Sequence, residues 1–174
     1  MLERGILGTS ILWFEWDHEG DGGLLAPESY RELCLSTVTT HDLPPTAGFL
    51  RLAHVAIRDR LGLLTRPVEE EVAAEEETIA RVRAALVSRG LLTEDADVPE
   101  TVEALHRFIA QTPSRMLGVA VTDLVGDVRA VNQPGTDREY PNWSVPLSGP
   151  DGQLVSLEEL MASPLARSIA ERLR

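Results

Sequence analysis

The chain contains no lysine, and all 16 of its basic residues are arginine. Schiff-base chemistry and a phosphate-loop lysine are thereby excluded from these residues. The arginine-only usage itself reads as codon bias rather than function. Cysteine is nearly absent too: Cys34 stands alone in an apolar stretch, cannot form an internal disulfide or a metal cluster, and reads as a buried structural thiol. No apolar run approaches the roughly 18 residues of a membrane span. The start Met1-Leu2-Glu3-Arg4-Gly5 lacks the basic and apolar regions of a signal peptide, so a cytoplasmic location is expected. Positive charge is outweighed: the formal net charge of −12 repels phosphate backbones and anionic membrane surfaces. Neither nucleic acid nor membrane is an expected partner, and neutral small molecules or sugars are. The histidine and acid spacings match no ligand set, so no metal and no organic cofactor is expected.

What is present is ordinary for a globular chain, with 43% hydrophobic and 25% charged residues in 174. That length suits one segment with a real core, whereas a complete (β/α)8 barrel takes about 250 residues. Strands are predicted near residues 9–15, 34–40 and 116–122, where β-branched and apolar residues cluster. Helical spacing joins Leu50, His54, Ile57, Leu61 and Leu64, with Gly62 as a stop, and then Val72, Ile79, Val82 and Leu86. The glutamates at 69–71 and 75–77 are read as a solvated helix face. Asp97-Val98-Pro99-Glu100 and Ser156-Leu157-Glu158-Glu159 have the spacing of helix starts, as does Ser163-Pro164. Strands alternating with helices imply an α/β fold with a parallel sheet, and such sheets place function at the carboxyl ends of their strands.

Three places meet at those ends: Glu15 after the first strand, His41-Asp42 after the second, and the loop from Asp123 to Thr136 after the third. Glu15 and Asp42 are readable as a carboxylate pair for glycoside chemistry, which needs two acids flanking the scissile bond. Each piece also has a plainer reading. Glu15 reads more simply as a strand-end acid, and Asp42 has the alternative of a helix cap before Thr46. His18 has no partner at metal-ligand spacing, and His54 and His106 read as structural residues within helices. Trp13 and Phe14 read as core, whereas Trp143, set among Pro141 and Asn142, is the better platform for a sugar face.

Three segments carry a family resemblance: Gly5-Ile6-Leu7-Gly8-Thr9 with Leu12-Trp13-Phe14-Glu15, then Thr40-His41-Asp42-Leu43-Pro44-Pro45-Thr46-Ala47-Gly48, then Asn132-Gln133-Pro134-Gly135-Thr136 with Tyr140-Pro141-Asn142-Trp143. In this order the chain resembles, over essentially its whole length, the 4-α-glucanotransferases, the amylomaltase or disproportionating-enzyme family. The resemblance implies a retaining transferase that moves α-1,4-glucan segments between maltooligosaccharides through a covalent glycosyl-enzyme, on a (β/α)8 TIM barrel. It implies that Asp42 is the acid that stabilises the transition state and His41 a substrate contact beside it. Asn132, Pro134 and Gly135 fall in the family's last strand-end loop, near the sugar, and Trp143 is a further candidate contact.

The family's nucleophilic aspartate, in an Arg-x-Asp motif, and its acid/base glutamate, in a Glu-Asp-Leu-Gly motif, do not occur in these 174 residues. The expectation is therefore the carboxyl-terminal part of the catalytic barrel, about three parallel strands with their helices, inactive by itself. Unpaired strand edges would drive self-association of such a piece. The alternative is a non-catalytic glucan-binding or interaction module.

Overall fold

The β-branched and small residues of three short segments pair into one parallel sheet of order β1-β2-β3, with β1 at Gly8–Ile11, β2 at Cys34–Thr37 and β3 at Met116–Gly118. Gly8 lies opposite Cys34 and Ile11 opposite Thr37; on the other side of β2, Leu35 meets Met116 and Thr37 meets Gly118. This arrangement comes from a computed structural model describing residues 4–20 and 22–173. The Met1-Leu2-Glu3 start, and with it part of the signal-peptide reading, lies outside the described residues.

All three strands are shorter than expected. Residues 12–14 do not continue β1 but tighten into a 3-10 turn, with Glu15 N–H donating to the Leu12 carbonyl at 3.1 Å. This turn buries Leu12 and Trp13 together and turns Phe14 outward, which an extended strand, alternating its side chains, would not do. β2 stops at Thr37 because the Thr37 and Thr39 hydroxyls bond backbone carbonyls of the following loop, at Thr39 and Pro44. β3 gives way after Gly118 to a run of turns over residues 121–126 that contains Asp123.

The helix expected from Leu50 to Leu64 is two helices, α1 (Thr46–Leu50) and α2 (Ala53–Arg60). Leu52 takes a left-handed conformation, φ 57°, which breaks the axis between them. Gly62, at φ 65°, closes α2 as predicted. α3 (Val68–Ser88) runs from Pro67 and buries Val82 and Leu86. α4 (Val98–Ile109) starts on a capping box in which Asp97 and Glu100 each accept the other's backbone N–H. It buries Val102, Leu105, Phe108 and Ile109 against β2, α1 and α3. α5 (Leu157–Ala162) and α6 (Pro164–Arg172) follow, and Ile169 of α6 packs on Val102 and Ala47.

The main core gathers Leu12, Trp13, Val38, Phe49, Val82, Leu86, Leu105 and Phe108 on the helix side of the sheet. Each such side chain contributes about 1.5–3 kcal/mol by leaving water. Among the described residues no helix is long and apolar enough to cross a membrane.

Candidate functional site

Because the strands are parallel, the segments after β1, β2 and β3 emerge on one side, and there they line a cleft of about 840 Å³. Trp13, Phe14 and Trp16 come from the first segment, Asp42, Leu43 and Pro44 from the second, and Asn132, Gln133 and Pro134 from the third. α2 and α3 supply the far wall through His54, Arg58, Glu75, Thr78 and Arg81.

Asp42 is the only one of the sequence-selected carboxylates that reaches this cleft. Its Oδ1 accepts the Asn132 amide at 2.7 Å, and its Oδ2 lies 3.3 Å from His41 Nε2. The side chains of His41 and Asp42 are 59% and 55% exposed, so the carboxylate is aimed by two neighbours yet keeps lone pairs open to a ligand. The helix-cap reading of Asp42 fails: α1 begins at Thr46 behind Pro45, and its first N–H is taken by Asp123 instead. Glu15 does not line the cleft, and its charge acts on Tyr30, whose phenol is pushed well above its ordinary value by burial and then by Glu15. The cleft that Asp42 borders is thus lined without Glu15.

His41 leans on Trp143, with ring centroids 5.1 Å apart at 48°. Trp143 is 64% exposed and holds φ at 60°, a left-handed conformation unusual for a tryptophan. Its backbone N–H donates to Val131 O at 2.9 Å, and Asn142 beside it ties the loop by accepting the Gln133 backbone N–H and donating to Thr136 Oγ1. Tyr140 anchors the same loop through its hydroxyl to Ala130 O at 2.6 Å. Pro134 lines the cleft, whereas Gly135, at φ 87°, turns away toward Leu63. Thus His41, Asp42, Asn132 and Trp143 form one connected group, Pro134 borders it, and Gly135 serves the turn.

Several cleft residues were not selected from sequence. Phe14, read as core, is 62% exposed on the cleft. Trp16 carries the Arg81 guanidinium 4.7 Å above its ring. His54 is buried and stacks at 8° on Phe49, but neither ring nitrogen finds a hydrogen bond, and Nε2 lies 3.7 Å from Glu75. Glu71 corrects the solvated-face reading: it is buried between Arg58 and Arg66. The Arg66 hydrogen bond holds its carboxyl below the ordinary value against the opposing effect of burial. The signal was present in the spacing, since residues 71, 75, 78, 82 and 86 make one helical stripe leading to buried Val82 and Leu86. No group of three or more His, Cys, Asp or Glu among the described residues is arranged to hold a metal ion.

A family profile described as 4-alpha-glucanotransferase matches residues 1–151. The chain is 53% identical over its whole length to 4-alpha-glucanotransferases of Mycobacterium bovis and Mycobacterium tuberculosis, of which it covers 25%. It is 26% identical to a 4-alpha-glucanotransferase of Haemophilus influenzae, covering 24% of that protein. Among solved structures, amylomaltase from Corynebacterium glutamicum superposes on 99% of the chain with a TM-score of 0.91 at 40% identity, the chain spanning 26% of it. The chain thus spans about a quarter of the length of the relatives it matches.

Proposed function

The chain belongs to the 4-alpha-glucanotransferase family, and on that premise we propose that it works as part of a longer enzyme that transfers α-1,4-glucan segments between maltooligosaccharides by a retaining double displacement. In this reading β1, β2 and β3 are strands of the carboxyl-terminal part of a (β/α)8 barrel. The rest of the barrel covers Leu7, Met116 and Val121, which are exposed beside the sheet, and supplies the nucleophile and the proton donor. Without those two groups a retaining transfer has no route, so the segment alone is inactive. In isolation its open sheet edges favour self-association.

The observation that carries the reading is the Asp42 carboxylate, held by Asn132 and His41 and open to an aromatic-lined cleft at the carboxyl ends of the strands. A carboxylate so placed accepts hydrogen bonds from sugar hydroxyls. These strengthen as positive charge builds on the ring, so they favour the transition state over the bound substrate. His41 contacts the same sugar, Asn132 fixes the Asp42 rotamer, and the exposed faces of Phe14 and Trp143 stack on glucose rings.

In the full-length enzyme, Asp42→Asn keeps the shape and the Asn132 contact but removes the charge. Maltotriose disproportionation should then fall by about 10²–10³-fold in kcat with little change in KM. Transfer at the wild-type rate would remove Asp42 from the chemistry.

A further inference from the structure

The first N–H groups of a helix have no partner inside it, and Pro45, preceding α1, has no side chain that can cap. Asp123, from the turns after β3, fills that place. Its Oδ1 accepts the Thr46 backbone N–H at 2.9 Å and its Oδ2 the Thr46 hydroxyl at 2.6 Å. Both residues are fully buried.

Behind the carboxylate stands His106 of α4, also fully buried. Its Nδ1 lies 2.8 Å from the Val102 carbonyl, which can only accept, so Nδ1 carries a hydrogen. Its Nε2 finds no hydrogen-bond partner and faces Asp123 Oδ2 at 3.6 Å. At that separation the imidazole edge and the carboxylate face each other in electrostatic contact without a hydrogen bond. Burial pushes the Asp123 carboxyl up, against the pull of His106 and of the two Thr46 donors.

The clamp lies a short, stiff distance from the candidate site. Leu43, Pro44 and Pro45 separate Thr46 from Asp42, the prolines fix φ, and the Pro44 carbonyl is tied to Thr39 Oγ1 at 2.8 Å. The chain that leaves Asp123 returns as Asn132, which holds Asp42 Oδ1 at 2.7 Å. The loops after β2 and β3 are therefore joined twice, at a buried point by Asp123–Thr46 and at the cleft by Asn132–Asp42.

We propose that Asp123, backed by His106, is a positioning residue for Asp42, its grip on Thr46 setting where the Asp42 carboxylate stands in the cleft. This rests on the reading of Asp42 given above.

The test uses the full-length enzyme with maltotriose. Thr46→Val removes the hydroxyl at nearly constant size, Thr46→Ser keeps it, and Asp123→Asn removes the charge while leaving an acceptor for the Thr46 N–H. Thr46→Val and Asp123→Asn should each lower kcat by about 10-fold or more with KM within about twofold, because a small misplacement weighs on the transition state. Thr46→Ser should recover kcat to within about threefold of wild type. Melting midpoints are measured alongside, and rates are taken well below the lowest of them. If Thr46→Val does not fold, Asp123→Asn carries the same expectation. Wild-type kcat in the folded variants, or a Ser variant as slow as the Val variant, overturns the proposal. Asp42→Asn run in parallel separates the two readings. Loss of transfer there with full activity in the clamp variants removes only the clamp, whereas full activity in Asp42→Asn removes the site reading and the clamp's role with it.

Discussion

Gly48→Ala is the smallest change that presses the two site-bearing loops apart. Gly48 lies in α1, directly after the loop that carries Asp42, and faces the backbone of Val128 in the loop that carries Asn132. A Cβ added there would sit 2.4 Å from the Val128 carbonyl oxygen, 3.0 Å from its carbon and 3.3 Å from its Cα, whereas ordinary contact begins at 3.4 Å. The deficit is 3.4 − 2.4 = 1.0 Å, and it falls on backbone, which cannot rotate aside. Two effects compete. Replacing glycine in a helix interior returns about 1 kcal/mol of helix propensity. Overpacking against fixed atoms costs about 2–3 kcal/mol, so the net is a loss of about 1–2 kcal/mol. Relief of the clash separates the loops, and the Asn132–Asp42 bond, now 2.7 Å, is the contact that lengthens. A misplacement near 1 Å at a reacting centre costs on the order of 10²-fold in rate. Urea unfolding followed by circular dichroism reads the first quantity, and maltotriose disproportionation by the full-length enzyme reads the second. An Ala variant at least as stable as wild type and equally fast would mean that the two loops are not in rigid contact.

Phe108 is 1% exposed at the centre of the core, and Phe108→Ala should lower the unfolding free energy by about 3–5 kcal/mol in the same urea titration. A loss below about 1 kcal/mol would mean that the core is not assembled around α4. Glu71 predicts an acid-dependent contribution, because Arg66 holds its folded carboxyl below the ordinary value. A depressed folded value stabilises above the unfolded value of about 4.3 and loses that stabilisation as pH falls through the folded one. The stability gap between wild type and Arg66→Gln should therefore be largest at neutral pH and shrink below about pH 4; a gap independent of pH would sink the assignment.

Local signals carried much of the architecture. Asp97-Val98-Pro99-Glu100 announced a helix start and Ser156 with Glu159 a capping box, both helices begin there on capping boxes, and Gly62 announced the end of α2. These depend on neighbours a few residues away, which the sequence displays directly. Break points governed by distant contacts were not legible: the 3-10 turn at residues 12–14 forms because Leu12 and Trp13 both enter the core, and Leu52 turns left-handed between two helices that periodicity joins. The candidate site divides in the same way. His41 and Asp42 stood out as a pair of chemically able residues ending a strand. Asn132 fell in a segment of the resemblance, but its bond to Asp42 spans 90 positions and only the fold reveals it. His106 and Asp123 were passed over singly, since each is unremarkable until the other is placed beside it. Glu71 was misjudged because three adjacent glutamates looked alike, although only one of them lies on the stripe of Val82 and Leu86.

The proposed role gives this segment one acid of a glucan-transfer site and leaves the others to the rest of the enzyme. Product analysis of maltotriose incubated with the isolated 174-residue chain and, separately, with the full-length enzyme tests this most directly. Glucose and longer maltooligosaccharides are expected from the full-length enzyme and unchanged maltotriose from the isolated chain. Shorter and longer products formed by the isolated chain would contradict the proposed role.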